Sequence, residues 1–149
     1  MVNYRFFFVG KRARDPVIDA IDQYLDRLSR YAKVTVHRIK DSTPRAEGAE
    51  LLSHLGAVDL LIALDEAGTA ISTRKLIQRV SLWQQESRTV VWAVGGADGL
   101  DASVKQRAQE SWSLSAMTLS HRLAQVILIE QLYRSHTHLR GEPYHRGRR

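Results

Sequence analysis

The chain has no cysteine among its 149 residues. That excludes disulfide stapling, cysteine-based zinc sites and a thiol nucleophile, and it fits a reducing compartment better than an oxidising one. No apolar run approaches the 18 or so residues needed to cross a bilayer. The opening "MVNYRFFFVGKR" holds only a four-residue apolar core and no small-residue cleavage site, so it reads as a buried first strand and not as a secretory signal. Low-complexity segments and repeats of solenoid length are also missing. The expectation is a single globular domain over residues 1–149, cytoplasmic and without a membrane anchor.

One local absence stands out. "SLSAMTLS", residues 113–120, carries no charge, yet it leads directly into the most apolar segment of the chain. Charge is concentrated elsewhere: the chain carries a net +6, and from Arg134 onward there are five arginines (Arg134, Arg140, Arg146, Arg148, Arg149) against one acid, Glu142. Such a block suits a polyanion, nucleic acid first, and equally a solvated tail kept for solubility.

Strand and helix patterns alternate along the chain. "YRFFFVG" reads as a buried strand, then Asp15 and Pro16 as helix cap and first turn, with Val17, Ile21, Tyr24, Leu25 and Leu28 on one face. "KVTVHRI" alternates as a strand, and a short helix follows that stops near Gly56. "VDLLIALD" and "RTVVWAVGG" are continuous apolar runs, the form taken by parallel strands covered on both faces. Between them Ser72 caps a helix with Leu76, Ile77, Val80 and Trp83 inward. Asp101 can cap a further helix carrying Val104, Ala108 and Trp112 on one stripe. A last helix starts near Ser120, and its apolar side chains run nearly all round it, so it must be covered by its own domain or by a second copy. The fold class is α/β, a mostly parallel sheet flanked by helices.

Ligands of such sheets sit beyond the carboxyl ends of the strands. Three segments fall there: "LDEAG" (64–68), "GGADG" (95–99) and the uncharged strip. The glycines fit a plain turn or a backbone approached closely by a ligand. No metal site is expected, because His136 and His138 are two apart and point in different directions on a helix. Nor does a nucleophile elbow surround Ser115, Ser120 and His121. Glu130, a lone carboxylate in the apolar helix, fits an i,i+4 pair with Arg134, or a base at a buried site. His121 is either a solvated neighbour of the cap or an imidazole facing a substrate.

Together, "LDEAG", "VGGADGL" (94–100), "SWSLSAMTLSH" (111–121), "VILIEQLYR" (126–134) and "GEPYHR" (141–146) resemble the ribosomal RNA large subunit methyltransferase H family, within the SPOUT class of knotted methyltransferases. "FVGK", "YLDRLSRYAK" and "EGAELL" extend the likeness toward the N-terminus. The resemblance implies a C-terminal trefoil knot and a homodimer with a shared active site. It implies S-adenosyl-L-methionine as methyl donor, and as acceptor N3 of a pseudouridine in large-subunit (23S) ribosomal RNA, met on the assembled 70S ribosome. It further implies donor contacts from Leu64, Gly95 and the segment Leu114, Ser115, Ala116, Met117, Thr118 and Leu119. His121, Tyr144 and Arg146 are implied at the target nucleotide, with His121, or a water it holds, a candidate base for the imide proton because imidazole can be neutral near pH 7. The chain departs from the family pattern at Ser120, where relatives usually have proline, at Arg122 in place of a neutral residue, at Gln125 in place of arginine, and in a shorter loop around residues 40–50. Two other readings compete: a non-catalytic ribosome or RNA-binding factor that kept the fold, and a methyltransferase of transfer RNA.

Overall fold

A computed structural model describes residues 1–11 and 14–146. Arg148 and Arg149, the last charges of the basic C-terminal block, lie outside the described residues. Among the described residues five strands and five helices alternate: β1 (Asn3–Val9), α1 (Pro16–Leu28), β2 (Lys33–Ile39), α2 (Pro44–Ser53), β3 (Leu60–Ala70), α3 (Thr73–Gln85), β4 (Thr89–Val94), α4 (Ala102–Arg107), β5 (Glu110–Ser113) and α5 (His121–Leu139). The strands form one parallel sheet in the order β2-β1-β4-β3-β5.

The period-2 geometry of a strand explains why β1 is almost wholly apolar. Tyr4, Phe6 and Phe8 point to the face covered by α1, α3 and α5, where they meet Ile18, Ile21, Val80, Trp83, Leu128 and Leu132. Phe7 and Val9 point to the opposite face and pack with Leu51 of α2 and Val104 of α4. The expected caps are in place. Asp15 accepts from the Val17 N–H at 2.8 Å, Ser72 from Lys75 at 3.1 Å and Ser120 from Leu123 at 3.3 Å.

Two local expectations need correction. Trp112 does not lie on a helical stripe with Val104 and Ala108. The helix ends at Arg107, Ala108 is extended (φ −64°, ψ 136°), and Trp112 sits in β5, opposite Leu64 and, past an irregularity, Thr69 of β3. A four-residue strand is too short to show alternation, and its pairing with β3 decides its conformation. The indole stacks on Trp83 and meets Trp92 edge-on, with ring centroids 6.1 and 5.5 Å away. Secondly, "LDEAG" is not simply a loop past the strand. It lies inside β3, which shifts register between Leu64 and Thr69 to continue along β5. Gly68 permits this close approach, since a Cβ there would fall 2.6 Å from the Ser111 carbonyl oxygen.

The inner side of α5, with Leu128, Ile129, Leu132 and His136, is covered within the chain, whereas Leu123 remains 44% exposed. Glu130 and Arg134 form the i,i+4 ion pair at 2.9 Å. No helix among the described residues is long and apolar enough to cross a membrane.

Candidate functional site

The carboxyl ends of β3 and β4 leave a gap that the segment after β5 folds across, and the start of α5 closes its side. The result is a cavity of about 570 Å³, within the usual range for small-ligand sites. Leu64, Gly95, Leu114, Ser115, Met117, Thr118, Leu119 and His121 all line it. Ala116, in the same strip, is not among the lining residues.

Each wall has a local cause. At the end of β4 the chain reverses so tightly that a Cβ on Gly95 would stand 2.6 Å from the backbone carbon of Gly99. Gly99 itself takes φ +78°, and its N–H donates to the Gly96 carbonyl at 3.0 Å. The glycine pair therefore makes a turn and brings bare backbone to the cavity at once; the two readings coincide. In the strip, the Ser113 hydroxyl donates to the Ser115 carbonyl and the Ser115 hydroxyl accepts from the Met117 N–H, both at 2.9 Å. Its polar groups thus fix the strip's own bends, while Met117 stands 76% exposed at the rim.

Although the strip is uncharged, the facing walls are not. Asp65, Glu66 and Asp98 also line the cavity, and the single cation among the described residues that line it, Lys105, pairs with Asp65 at 3.2 Å. Sequence reasoning quoted the motifs that contain these acids without assigning them a part; their position within "LDEAG" and "GGADG" was the available signal. The cavity therefore favours a ligand bearing positive charge.

His121 is the first residue of α5, directly after the Ser120 cap. Its ring faces the end of β1: a Cβ on Gly10 would lie 3.9 Å from His121 Nε2, and Gly10 adopts φ +111°, where glycine is favoured. Tyr144 and Arg146 lie elsewhere. The Tyr144 hydroxyl donates to Glu130 at 2.7 Å and lies 3.3 Å from the Tyr24 hydroxyl, while Arg134 covers its ring at 5.0 Å. Burial, followed by these hydrogen bonds, pushes its phenol far above the usual range. Arg146 donates to the Pro143 carbonyl at 3.2 Å. Glu130 is nine residues beyond His121, roughly 13 Å of helix rise, so the tail is docked well away from its own chain's cavity.

Comparison with known proteins adds the family. The profile of the family described as predicted SPOUT methyltransferase matches residues 2–145. A protein from Anaeromyxobacter sp. (strain Fw109-5) is 40% identical over 150 residues, 95% of this chain and 98% of its own length. One from Polynucleobacter asymbioticus is 40% identical over 139 residues, 93% and 95% of the two chains. A third, from Sorangium cellulosum, is 41% identical over 137 residues, 91% and 94%. All three carry the name Ribosomal RNA large subunit methyltransferase H.

Proposed function

Because this chain belongs to the ribosomal RNA large subunit methyltransferase H family of SPOUT methyltransferases, we propose that it methylates N3 of a pseudouridine in 23S ribosomal RNA. The donor is S-adenosyl-L-methionine, and the target is met in the cytoplasm on the assembled 70S ribosome. One observation carries the reading: Leu64, Gly95 and, from the strip, Leu114, Ser115, Met117, Thr118 and Leu119 line one cavity. Its features fit the donor. Leu64, Leu114 and Leu119 offer apolar walls for an adenine, the bare backbone at Gly95 admits a close approach, and Asp65, Glu66 and Asp98 suit the charge of a sulfonium and an ammonium.

When bound, S-adenosyl-L-methionine supplies an electrophilic methyl carbon on a positively charged sulfur. The chain's own task is to hold the acceptor nitrogen in line with the carbon–sulfur bond, and such positioning can supply several kcal/mol of barrier reduction. Methylation of N3 would displace its imide proton. His121, at the cavity wall, receives it directly or through one water.

Tyr144 and Arg146 complete the reading through a second copy. With Tyr144 docked beside Tyr24 and Glu130 and Arg146 bonded to the Pro143 carbonyl, they serve the target nucleotide of the partner's cavity in a homodimer, Tyr144 by stacking or hydrogen bonding and Arg146 by meeting a phosphate or carbonyl. We also read residues 1–149 as a single domain with a C-terminal trefoil knot.

Calorimetric titration with S-adenosyl-L-methionine, followed by mass mapping of 23S ribosomal RNA after incubation of ribosomes with protein and donor, tests the proposal. Binding by the wild-type chain, its loss by at least 100-fold in Gly95→Ala, and one added methyl on a pseudouridine are expected. Absence of donor binding would favour the non-catalytic RNA-binding factor, and methylation of transfer RNA alone would overturn the choice of acceptor.

A further inference from the structure

We propose that Trp112 is a further donor-binding residue, a wall of the cavity against which the adenosine part of the donor rests, and that Arg79 and Glu110 are positioning residues that hold its indole in place. The proposal rests on the functional reading above.

Trp112 lines the cavity together with Leu64, Val94, Leu114 and Ala124. All five belong to, or pack on, the apolar cluster on the side of the sheet covered by α1, α3 and α5. The indole and the cavity therefore share that side. Leu64 is also the β3 partner of Trp112, and Leu114 follows Trp112 by two residues. Trp112 thus belongs with the two leucines read above as apolar walls for an adenine.

Packing alone does not fix this residue. Besides the donor cavity it borders two further openings, one of about 180 Å³ between α3 and α5 and one of about 420 Å³ on the side of Lys75 and Arg79. Trp92, by contrast, is fully buried and lines none of the three. Atoms that face a void lose the contacts that a filled interior would give them, so Trp112 needs another constraint.

Arg79 and Glu110 supply it. Glu110 and Trp112 are two apart in β5 and so project to one face. The Trp112 Nε1–H donates to Glu110 Oε1 at 3.1 Å. Arg79 Nη1 donates to that same oxygen at 2.8 Å, and its Nη2 donates to Glu110 Oε2. The guanidinium carbon also lies 5.5 Å from the Trp112 ring centroid and 5.4 Å from that of Trp83, which stacks on Trp112. Each of the three side chains Arg79, Glu110 and Trp112 therefore meets the other two. The Arg79 guanidinium holds the Glu110 carboxyl below its usual range, so it remains a charged acceptor near neutrality. The ion pair is partly exposed, 23% and 34% on its two sides, and such pairs add little to global stability. Its effect falls on the ring that it orients.

The test uses the full-length wild type with Trp112→Leu, Trp112→Phe, Glu110→Gln, Glu110→Met and Arg79→Met, at a temperature where urea unfolding shows each of them folded. Calorimetry reads the affinity for S-adenosyl-L-methionine and for 5′-methylthioadenosine, which keeps the adenosine part and lacks the amino acid. NMR reads the indole N–H signals of the three tryptophans with and without donor. In the wild type, donor should move the Trp112 signal further than that of Trp92. Trp112→Leu should weaken donor binding about tenfold, the order expected for an aromatic contact with a base, and Trp112→Phe should weaken it less. Glu110→Met and Arg79→Met should each weaken it about fivefold, as the indole N–H or the carboxylate that receives it loses its partner. Glu110→Gln, which keeps an acceptor for the indole, should recover most of the affinity. Every loss should be the same factor for 5′-methylthioadenosine. If the wild type binds donor while its Trp112 signal moves no further than that of Trp92, or if Trp112→Leu binds as the wild type does, this proposal alone is overturned. Equal losses in Glu110→Gln and Glu110→Met would overturn the positioning role of Glu110. Absence of donor binding in the wild type would overturn the functional reading and this proposal with it. Should Trp112→Leu fail to fold, the wild-type signals and the Glu110 variants decide the matter.

Discussion

His121 and His136 sit on the same helix, fifteen residues apart, in opposite surroundings. His136 is fully buried near the far end of α5. Gln84 Nε2 lies 2.9 Å from its Nδ1, and the Tyr4 hydroxyl 2.8 Å from its Nε2. An amide nitrogen can only donate, so Nδ1 accepts, and the neutral ring carries its proton on Nε2, which donates to Tyr4. Tyr31 stacks on the ring. Every polar atom of that imidazole is committed. His121 instead borders a cavity lined by leucines, glycines, short polar residues and acids. One end of α5 fixes the helix against β1 and α3; the other holds a group ready for an incoming partner. Interiors gain stability from satisfied polar groups, and functional sites leave theirs available.

The sharpest way to break this contrast is His136→Ala. The change strands the Tyr4 hydroxyl and the Gln84 amide in a closed interior and opens a cavity, for a total loss of about 4 kcal/mol. Urea unfolding should show it, with Tm lower by roughly 10 °C. Below the transition, the surviving folded protein should bind donor as the wild type does. Loss of donor binding at full stability would mean that the two ends of α5 are not separable.

Acid gives a second test without mutation. Burial, with some help from the Arg140 charge, lowers His136 to about 4, while in the unfolded chain it titrates near its ordinary value of about 6.5. The unfolded state therefore takes the proton first. Stability that is complete above about pH 6.5 falls as pH drops toward 4, by about 3 kcal/mol if the full difference is expressed. His145 is also held below its ordinary value and acts in the same direction. The share of His136 is the difference in slope between wild type and His136→Ala in urea melts at pH 7, 5.5 and 4.5. Parallel slopes would show that His136 takes up its proton at the same pH in the folded and the unfolded protein.

How much of this contrast could be read from the chain follows from sequence separation. The Ser120 cap, the helix after it and the uncharged strip are contiguous, so pattern and resemblance locate the open end. Gly95 is also visible, although the clash that requires glycine there involves backbone four residues on. The closed end is not legible. His136 meets partners 132 and 52 residues away, Tyr4 and Gln84, and nothing local in "RSHTHL" distinguishes it from exposed His138. Trp112 was misplaced for the same reason: its strand exists because β3 is beside it. The tail motif around Tyr144 was visible as a motif, while its docking on Tyr24 and Glu130 is a tertiary fact.

At the open end, His121→Ala should leave thermal stability within about 0.5 kcal/mol, since its ring is only partly covered. On the proposed reading, kcat for ribosome methylation falls about 100-fold or more, the usual worth of a positioned base. Donor affinity measured by calorimetry should change little. A stability loss comparable to that of His136→Ala would erase the contrast.

The smallest effect concerns Ser120, which borders the cavity and caps α5. The resemblance leads one to expect proline here, and the backbone already suits it: Ser120 has φ −62°, near the value the pyrrolidine ring imposes. Ser120→Pro removes the hydroxyl that receives the Leu123 N–H, a cost of about 1 kcal/mol. It also narrows the unfolded ensemble, a gain of about 0.4–1 kcal/mol. The two nearly cancel, so urea unfolding should place Ser120→Pro within about 0.5 kcal/mol of the wild type, whereas Ser120→Ala, which loses the cap without the compensation, falls about 1 kcal/mol below it. If proline instead destabilised by more than alanine, the start of α5 would depend on a backbone donor at residue 120, and the open end would be more tightly fixed than its exposed side chains suggest.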